Sequence, residues 1–123
     1  MKKILIVDDD AGIRELVDTT LKSDDYHILH AESGQECIEI AGAEKPDLII
    51  MDIMMPGGMN GFEATRIIKN DPETRGSAII ILSGRAQETE RERGFEVGAD
   101  DFFVKPFSPL ALIKKVEEVG GRT

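Results

Sequence analysis

Three stretches of the chain are apolar without interruption: Ile4-Leu5-Ile6-Val7, Leu48-Ile49-Ile50-Met51 and Ala78-Ile79-Ile80-Ile81-Leu82. Runs this short and unbroken fit strands buried on both faces, as the strands of parallel sheets are. Two weaker runs read as further strands. Tyr26 to Ala31 is more polar and so belongs nearer a sheet edge; Asp101 to Lys105 is short and is closed by Pro106. Between the runs the period changes. Ile13, Leu16, Val17, Thr20 and Leu21 follow the i, i+3, i+4, i+7, i+8 spacing of one helix face. A second helix starts at Ser33-Gly34, carries Cys37, Ile38 and Ala41 inward, and stops at Lys45-Pro46-Asp47. A third starts at Asn60-Gly61 with Phe62, Ala64, Thr65 and Ile68 on its inner side and ends at Asp71-Pro72-Glu73. The segment from Gln87 to Phe95 can be helical but is nearly all charged, so it should be exposed and loosely held. Ser108-Pro109 opens a last helix, proline being favoured in the first turn. Its apolar set is Leu110, Ile113 and Val116, with Leu112 and Val119 beside them.

The order is therefore strand then helix, five times over, with no internal repeat or linker. That alternation predicts an α/β fold, a doubly wound (βα)5 parallel sheet covered by helices on both faces. The flavodoxin-like strand order 2-1-3-4-5 would set strands one and three side by side at the point where the winding reverses. A length of 123 residues suits one domain, spanning 1–123.

Charge narrows the function. With 15 Lys+Arg against 24 Asp+Glu the net charge is −9, which repels nucleic-acid phosphate and argues against direct nucleic-acid binding. The single cysteine, Cys37, cannot form an internal disulfide and reads as a small buried residue. No apolar run reaches membrane-spanning length, and the four apolar residues after Lys2-Lys3 are too few for a signal peptide, so a cytoplasmic location and no membrane partner are expected.

The chemistry gathers at strand ends. Asp8 and Asp9, Asp52, Ser83 and Lys105 each follow or close a strand, and in a parallel sheet these ends share one edge. A lone Asp there would be read as a turn or helix cap, and Asp10 is assigned to that role. Three carboxylates at one edge are different, because like charges disfavour one another's ionised forms. A hard divalent cation would relieve that repulsion. Mg²⁺, with Mn²⁺ as a substitute, takes oxygen ligands, few carboxylates and several waters. One carboxylate could also serve as a nucleophile and become an acyl phosphate. That reaction calls for an ammonium and a hydroxyl around the phosphoryl oxygens, which Lys105 and Ser83 would supply. His27 and His30, on the weak second strand, read as surface or satisfied core residues.

Taken together, Asp8-Asp9 after an apolar strand, Asp52-Ile53-Met54-Met55-Pro56, Ile80-Ile81-Leu82-Ser83-Gly84 and Val104-Lys105-Pro106-Phe107 resemble the receiver domain of two-component response regulators, of which the chemotaxis single-domain regulator is the simplest member. The resemblance covers essentially the whole chain. It implies that Asp52 is the phosphoacceptor, taking its phosphoryl group from a sensor histidine kinase or a histidine phosphotransfer protein. It implies that Asp9 ligates Mg²⁺ directly, Asp8 mainly through water, and that the Met54 backbone carbonyl completes the site. Ser83 would bond a phosphoryl oxygen, Lys105 would pair with the phosphoryl group, and the Lys105–Pro106 bond would be cis. Phe102 stands at the family's aromatic switch position and would turn inward as the face formed by the fourth helix, fifth strand and fifth helix repacks. Met54 and Arg85 border the path of attacking water and would set the dephosphorylation rate. The resemblance also implies a downstream protein or output domain, and allows a phosphorylation-dependent homodimer to which Asp100, Asp101, Lys114, Lys115, Arg91 and Arg93 could contribute cross-dimer ion pairs, a solvated charged face being the equal alternative for these residues. The end of the chain at Thr123 leaves both a single-domain regulator and part of a longer protein open.

Three departures from the family pattern stand out. Two residues, Gly57 and Gly58, precede Met59-Asn60-Gly61 where one is usual. Ser83 replaces the family threonine, and Phe102 lacks the hydroxyl of the frequent tyrosine. Two other functions fit parts of the pattern. A small Mg²⁺-dependent phosphatase would use Asp8 as nucleophile and Asp10 as acid, but no cap domain is evident. A flavin module would need a phosphate-binding loop where Asp8-Asp9-Asp10 stands, and those charges repel phosphate.

Overall fold

The computed structural model describes residues 2–55, 57–84, 88–104 and 108–120. Five strands form one parallel sheet: β1 (Lys2–Val7), β2 (Tyr26–Ala31), β3 (Leu48–Asp52), β4 (Ala78–Ser83) and β5 (Asp101–Val104). Their order is β2-β1-β3-β4-β5, as the alternation predicts. The edge position of β2 matches its polar composition, and β3 and β4 are buried along their whole length.

Five helices connect the strands: α1 (Ala11–Leu21), α2 (Gly34–Glu44), α3 (Gly61–Asn70), α4 (Glu88–Glu96) and α5 (Pro109–Gly120). Strand alternation divides the interior in two. On one face Ile4, Ile6, Leu48, Ile50, Ile80 and Leu82 meet Val17 and Leu21 of α1 and Leu112, Val116 and Val119 of α5. On the other, Leu5, Val7, Ile49, Met51, Ile79, Ile81 and Phe102 meet Cys37 and Ala41 of α2 and Phe62, Ala64 and Ile68 of α3. Phe102 and Phe103 fall on opposite faces.

Caps fix the helix starts. Asp10 accepts from the backbone N–H of Gly12 at 2.8 Å and of Ile13 at 3.3 Å. Ser33 accepts from Glu36 N–H at 3.1 Å. Asn60 and Glu63 form a reciprocal capping box.

Two helices pack on a different stripe from the one the spacing suggests. In α5 Leu110 is 78% exposed while Leu112 is fully buried, so the inward stripe is Leu112, Val116 and Val119. Leu110 lies in the first turn of α5. In α1 Leu16 is 50% exposed, and Val17 and Leu21 carry the packing.

Deleting the Leu112 side chain leaves a cavity, and Leu112→Ala should lower unfolding free energy by about 2–5 kcal/mol. Leu110→Ala should stay within about 0.5 kcal/mol; urea titration of both variants checks this. Burial pushes the Cys37 thiol up to about 12. Native protein at pH 8 should therefore resist alkylation, and label should appear only with denaturant. Because the folded-state value is raised, the stability Cys37 contributes is complete below the ordinary thiol range and is lost as pH climbs toward 12.

Candidate functional site

The site is built from the ladder outward. Val7 of β1 pairs with Met51 of β3, and Asp52 pairs with Leu82 of β4. One further step along β1 sets Asp8 beside Asp52 at the carboxyl edge. Both have the parity of Ile6 and Ile50, so they lie on the α1–α5 face of the sheet. Asp8, Asp9 and Asp52 bring carboxylate oxygens within 4.8 Å of one another. Asp8 and Asp52 are buried and Asp9 is exposed, so the cluster has a buried floor and one open side.

The acidic loop is held by its backbone. Asp8 N–H donates to Ala31 O at 3.1 Å, prolonging the pairing of β1 with β2. Asp10 N–H donates to Asp8 Oδ1 at 2.9 Å, and Arg14 Nη1 donates to Asp8 O at 2.7 Å. Arg14 also reaches Glu32, at 3.6 Å. The opposite wall is fixed by α3. Gly61 N–H donates to Ile53 O at 2.8 Å, directly after Asp52. A Cβ on Gly61 would strike the Asp52 carbonyl oxygen and come within 3.0 Å of Ile53 Cα. The start of α3 thus abuts the exit of β3 so closely that only glycine fits.

Ser83 closes the β4–β5 ladder opposite Val104 and is buried. Its hydroxyl donates to Glu90 Oε2 of α4 at 3.0 Å. The Met54 side chain is 77% exposed. Phe102, at 4%, is already inside, packed among the residues of the α2–α3 face. Lys105, Pro106 and Arg85 lie outside the described residues, so the ammonium, the cis bond and one of the two rate-setting positions are not placed. His30 Nε2 meets Asp18 Oδ2 at 2.7 Å, away from the acidic edge. Asp100 and Asp101 are paired within the chain, with Lys69 at 2.9 Å and Lys115 at 3.2 Å.

The structure therefore brings Asp8, Asp9 and Asp52 together as the sequence predicts. Sequence reasoning missed three supports: Gly61, Arg14 and Glu90. A glycine in the first helical turn, where better helix formers are available, was the one local signal for Gly61. The all-oxygen donor set fits a hard divalent cation such as Mg²⁺ better than a softer metal.

Comparison with known proteins agrees with this arrangement. A family model described as "Response regulator receiver domain" matches residues 4–117. The phosphate regulon transcriptional regulatory protein PhoB of Pseudomonas aeruginosa is 43% identical over 122 residues, covering 99% of this chain and 53% of that protein. The transcriptional regulatory protein ResD of Bacillus subtilis is 43% identical over 115 residues, covering 94% of this chain and 46% of its own length. The chain spans about half the length of these relatives. Among solved structures, chemotaxis protein CheY4 of Vibrio cholerae superposes with a TM-score of 0.89 at 34% identity, over 97% of this chain and 98% of that one.

Gly61→Ala should push α3 off the exit of β3, destabilising the fold by about 1–3 kcal/mol as other overpacked substitutions do. Thermal unfolding measures the loss; a melting temperature equal to wild type would show that α3 does not abut Asp52.

Proposed function

The chain belongs to the response regulator receiver domain family, and we propose that Asp52 is the residue at which its phosphorylation switch is thrown, with 1–123 acting as one receiver unit. The observation that carries this reading is the convergence of Asp8, Asp9 and Asp52 at the carboxyl edge of the sheet. In the proposed reaction an Asp52 carboxylate oxygen attacks the donor's phosphorus. The bond from phosphorus to the donor breaks, the donor leaves with its electron pair, and a carboxyl-phosphate bond forms on Asp52. Later attack by water on phosphorus restores the carboxylate. The chain thus promotes its own phosphorylation and dephosphorylation and has no separate substrate.

Asp9 and Asp52, with Asp8 through water and the Met54 carbonyl, would hold Mg²⁺ or Mn²⁺. Bound there, the cation would neutralise charge on the phosphoryl oxygens. The chain's own groups do the rest. The β3 ladder and Gly61 fix Asp52 in place. Ser83 offers a hydroxyl and Lys105 an ammonium for the phosphoryl oxygens, while Met54 and Arg85 border the water's approach. Phe102 and the α4–β5–α5 face form the responding surface.

The donor on this reading is a sensor histidine kinase or a histidine phosphotransfer protein in the cytoplasm, and the receiver of the signal is a downstream protein or output domain. Among the described residues no helix is long and apolar enough to cross a membrane. A phosphorylation-dependent homodimer through the α4–β5–α5 face would have to exchange the in-chain pairs of Asp101 and Lys115 for cross-dimer ones. The phosphatase alternative is weakened by Asp10. Its carboxylate caps α1 instead of facing a leaving group.

Incubation with acetyl phosphate and Mg²⁺ should add one phosphoryl mass, stable in acid and labile in base. It should be absent from Asp52→Asn and from wild type treated with a chelator. Label persisting in Asp52→Asn would overturn the reading, and label lost only in Asp8→Asn would favour the phosphatase.

A further inference from the structure

We propose that Glu90 is a positioning residue for the phosphorylation switch: it holds the Ser83 hydroxyl on the α4 side of the sheet until a phosphoryl group at Asp52 competes for it. This rests on the reading of Asp52 as acceptor and Ser83 as phosphoryl ligand, and adds a residue of α4 to that chemistry.

The starting point is parity. Asp52 has the parity of Ile50 and lies on the α1–α5 face, whereas Ser83 has the parity of Ile79 and Ile81 and lies on the opposite face. The resting direction of the Ser83 side chain is therefore away from the acidic edge. Glu90 occupies that direction, accepting the hydroxyl hydrogen at 3.0 Å. A serine has a single O–H to donate. The same hydrogen cannot serve Glu90 and a phosphoryl oxygen together, so phosphorylation and the Glu90 bond exclude one another.

The second observation is how little else secures α4. Gly94 is the one buried residue of the helix. It lies flat on Ile81 and the Phe102 ring, where a Cβ would come within 3.2 and 3.3 Å. The Arg93 guanidinium sits 4.8 Å from the centre of the Phe62 ring. A helix with one buried glycine has no apolar stripe to hold it, so a charge-assisted bond to the end of β4 is a large share of its attachment. Drawing Ser83 toward Asp52 breaks that bond. It also leaves the Glu90 carboxylate facing an edge that has gained negative charge. Both effects loosen the N-terminal turn of α4.

Glu88 supplies the control. It is an exposed acid in the same first turn, with the same favourable position relative to the helix dipole. Hydrogen exchange of the amides of residues 88–96 is measured in unphosphorylated wild type, Glu90→Ala, Glu90→Gln, Glu88→Ala, Ser83→Ala and the Ser83→Ala/Glu90→Ala double variant. Glu90→Ala should accelerate exchange by about three- to tenfold, the range for losing one hydrogen bond of ordinary net strength. Glu90→Gln, whose amide carbonyl still accepts, should fall between. Glu88→Ala should leave exchange near wild type, and Glu90→Ala should add nothing once Ser83 is alanine. The initial rate of acetyl phosphate labelling at Asp52 should rise in Glu90→Ala by a similar factor. Equal acceleration by Glu88→Ala and Glu90→Ala, or additivity with Ser83→Ala, would overturn the latch. Labelling of Asp52 with unchanged α4 exchange in Glu90→Ala overturns the latch and leaves the acceptor reading standing. Absence of Asp52 label in every variant removes the acceptor reading and with it the proposed competition.

Discussion

The constraint on which the molecule turns is the enforced proximity of three carboxylates. Near a protein surface two like charges about 4 Å apart repel by roughly 4 kcal/mol, and here oxygens of Asp8, Asp9 and Asp52 lie within 4.8 Å of one another. Neither strand can move to relieve this. β1 is hydrogen-bonded to β2 and β3, and β3 to β1 and β4, with apolar side chains covering both faces. Asp10 N–H donates to the Asp8 carboxylate and Arg14 to the Asp8 carbonyl, which fixes the acidic loop in place. The sheet interior holds these three acids at one edge, which is where a cation or a charge-spreading transfer has most to gain.

A perturbation at that edge meets two unlike faces. The α1–α5 face is tied to the sheet by Val17, Leu21, Leu112, Val116 and Val119. Facing Ser83 and Phe102 on the other side, α4 is tied by Gly94 and a few polar contacts. Movement should follow the thinner attachment. The position of Phe102 sharpens this: the ring is already interior, under Gly94. In this state the ring is already packed, and α4 rests on it through Gly94.

Much of this was legible in the sequence, for a physical reason. A strand buried on both faces must be continuously apolar, so β1, β3 and β4 announce themselves, and the acid after each of the first two is placed by parity alone. Periodicity also finds a helix's apolar side, as the buried Phe62, Ala64, Thr65 and Ile68 show. It does not decide between adjacent stripes of one helix, as the exposed Leu16 and Leu110 show. Nor does it rank equivalent charges. Glu88, Glu90 and Glu92 look alike along the chain, and only the approach of α4 to β4 selects Glu90 for Ser83. Gly61 depends in the same way on contact between segments that the sequence alone does not bring together.

The extra glycine after Pro56 shows how the site is insulated from its own loop. Ile53 is buried, and its carbonyl accepts from Gly61 N–H, so the loop's entry and exit are joined to each other. Gly57 and Gly58 lie between these anchors at φ +91° and +81°, a left-handed region that glycine enters without steric cost. A Cβ at either would meet nothing within 4 Å, so the pair bulges outward without pressing on the acidic cluster. An added residue there lengthens the excursion but cannot shift Asp52, which is held from behind by β3 and in front by α3. What the added residue alters is the surface of the loop itself, where a Cβ at Gly57 or Gly58 would meet open space. Its consequences therefore belong to how a phosphodonor approaches the site, while the carboxylate geometry is set by the sheet.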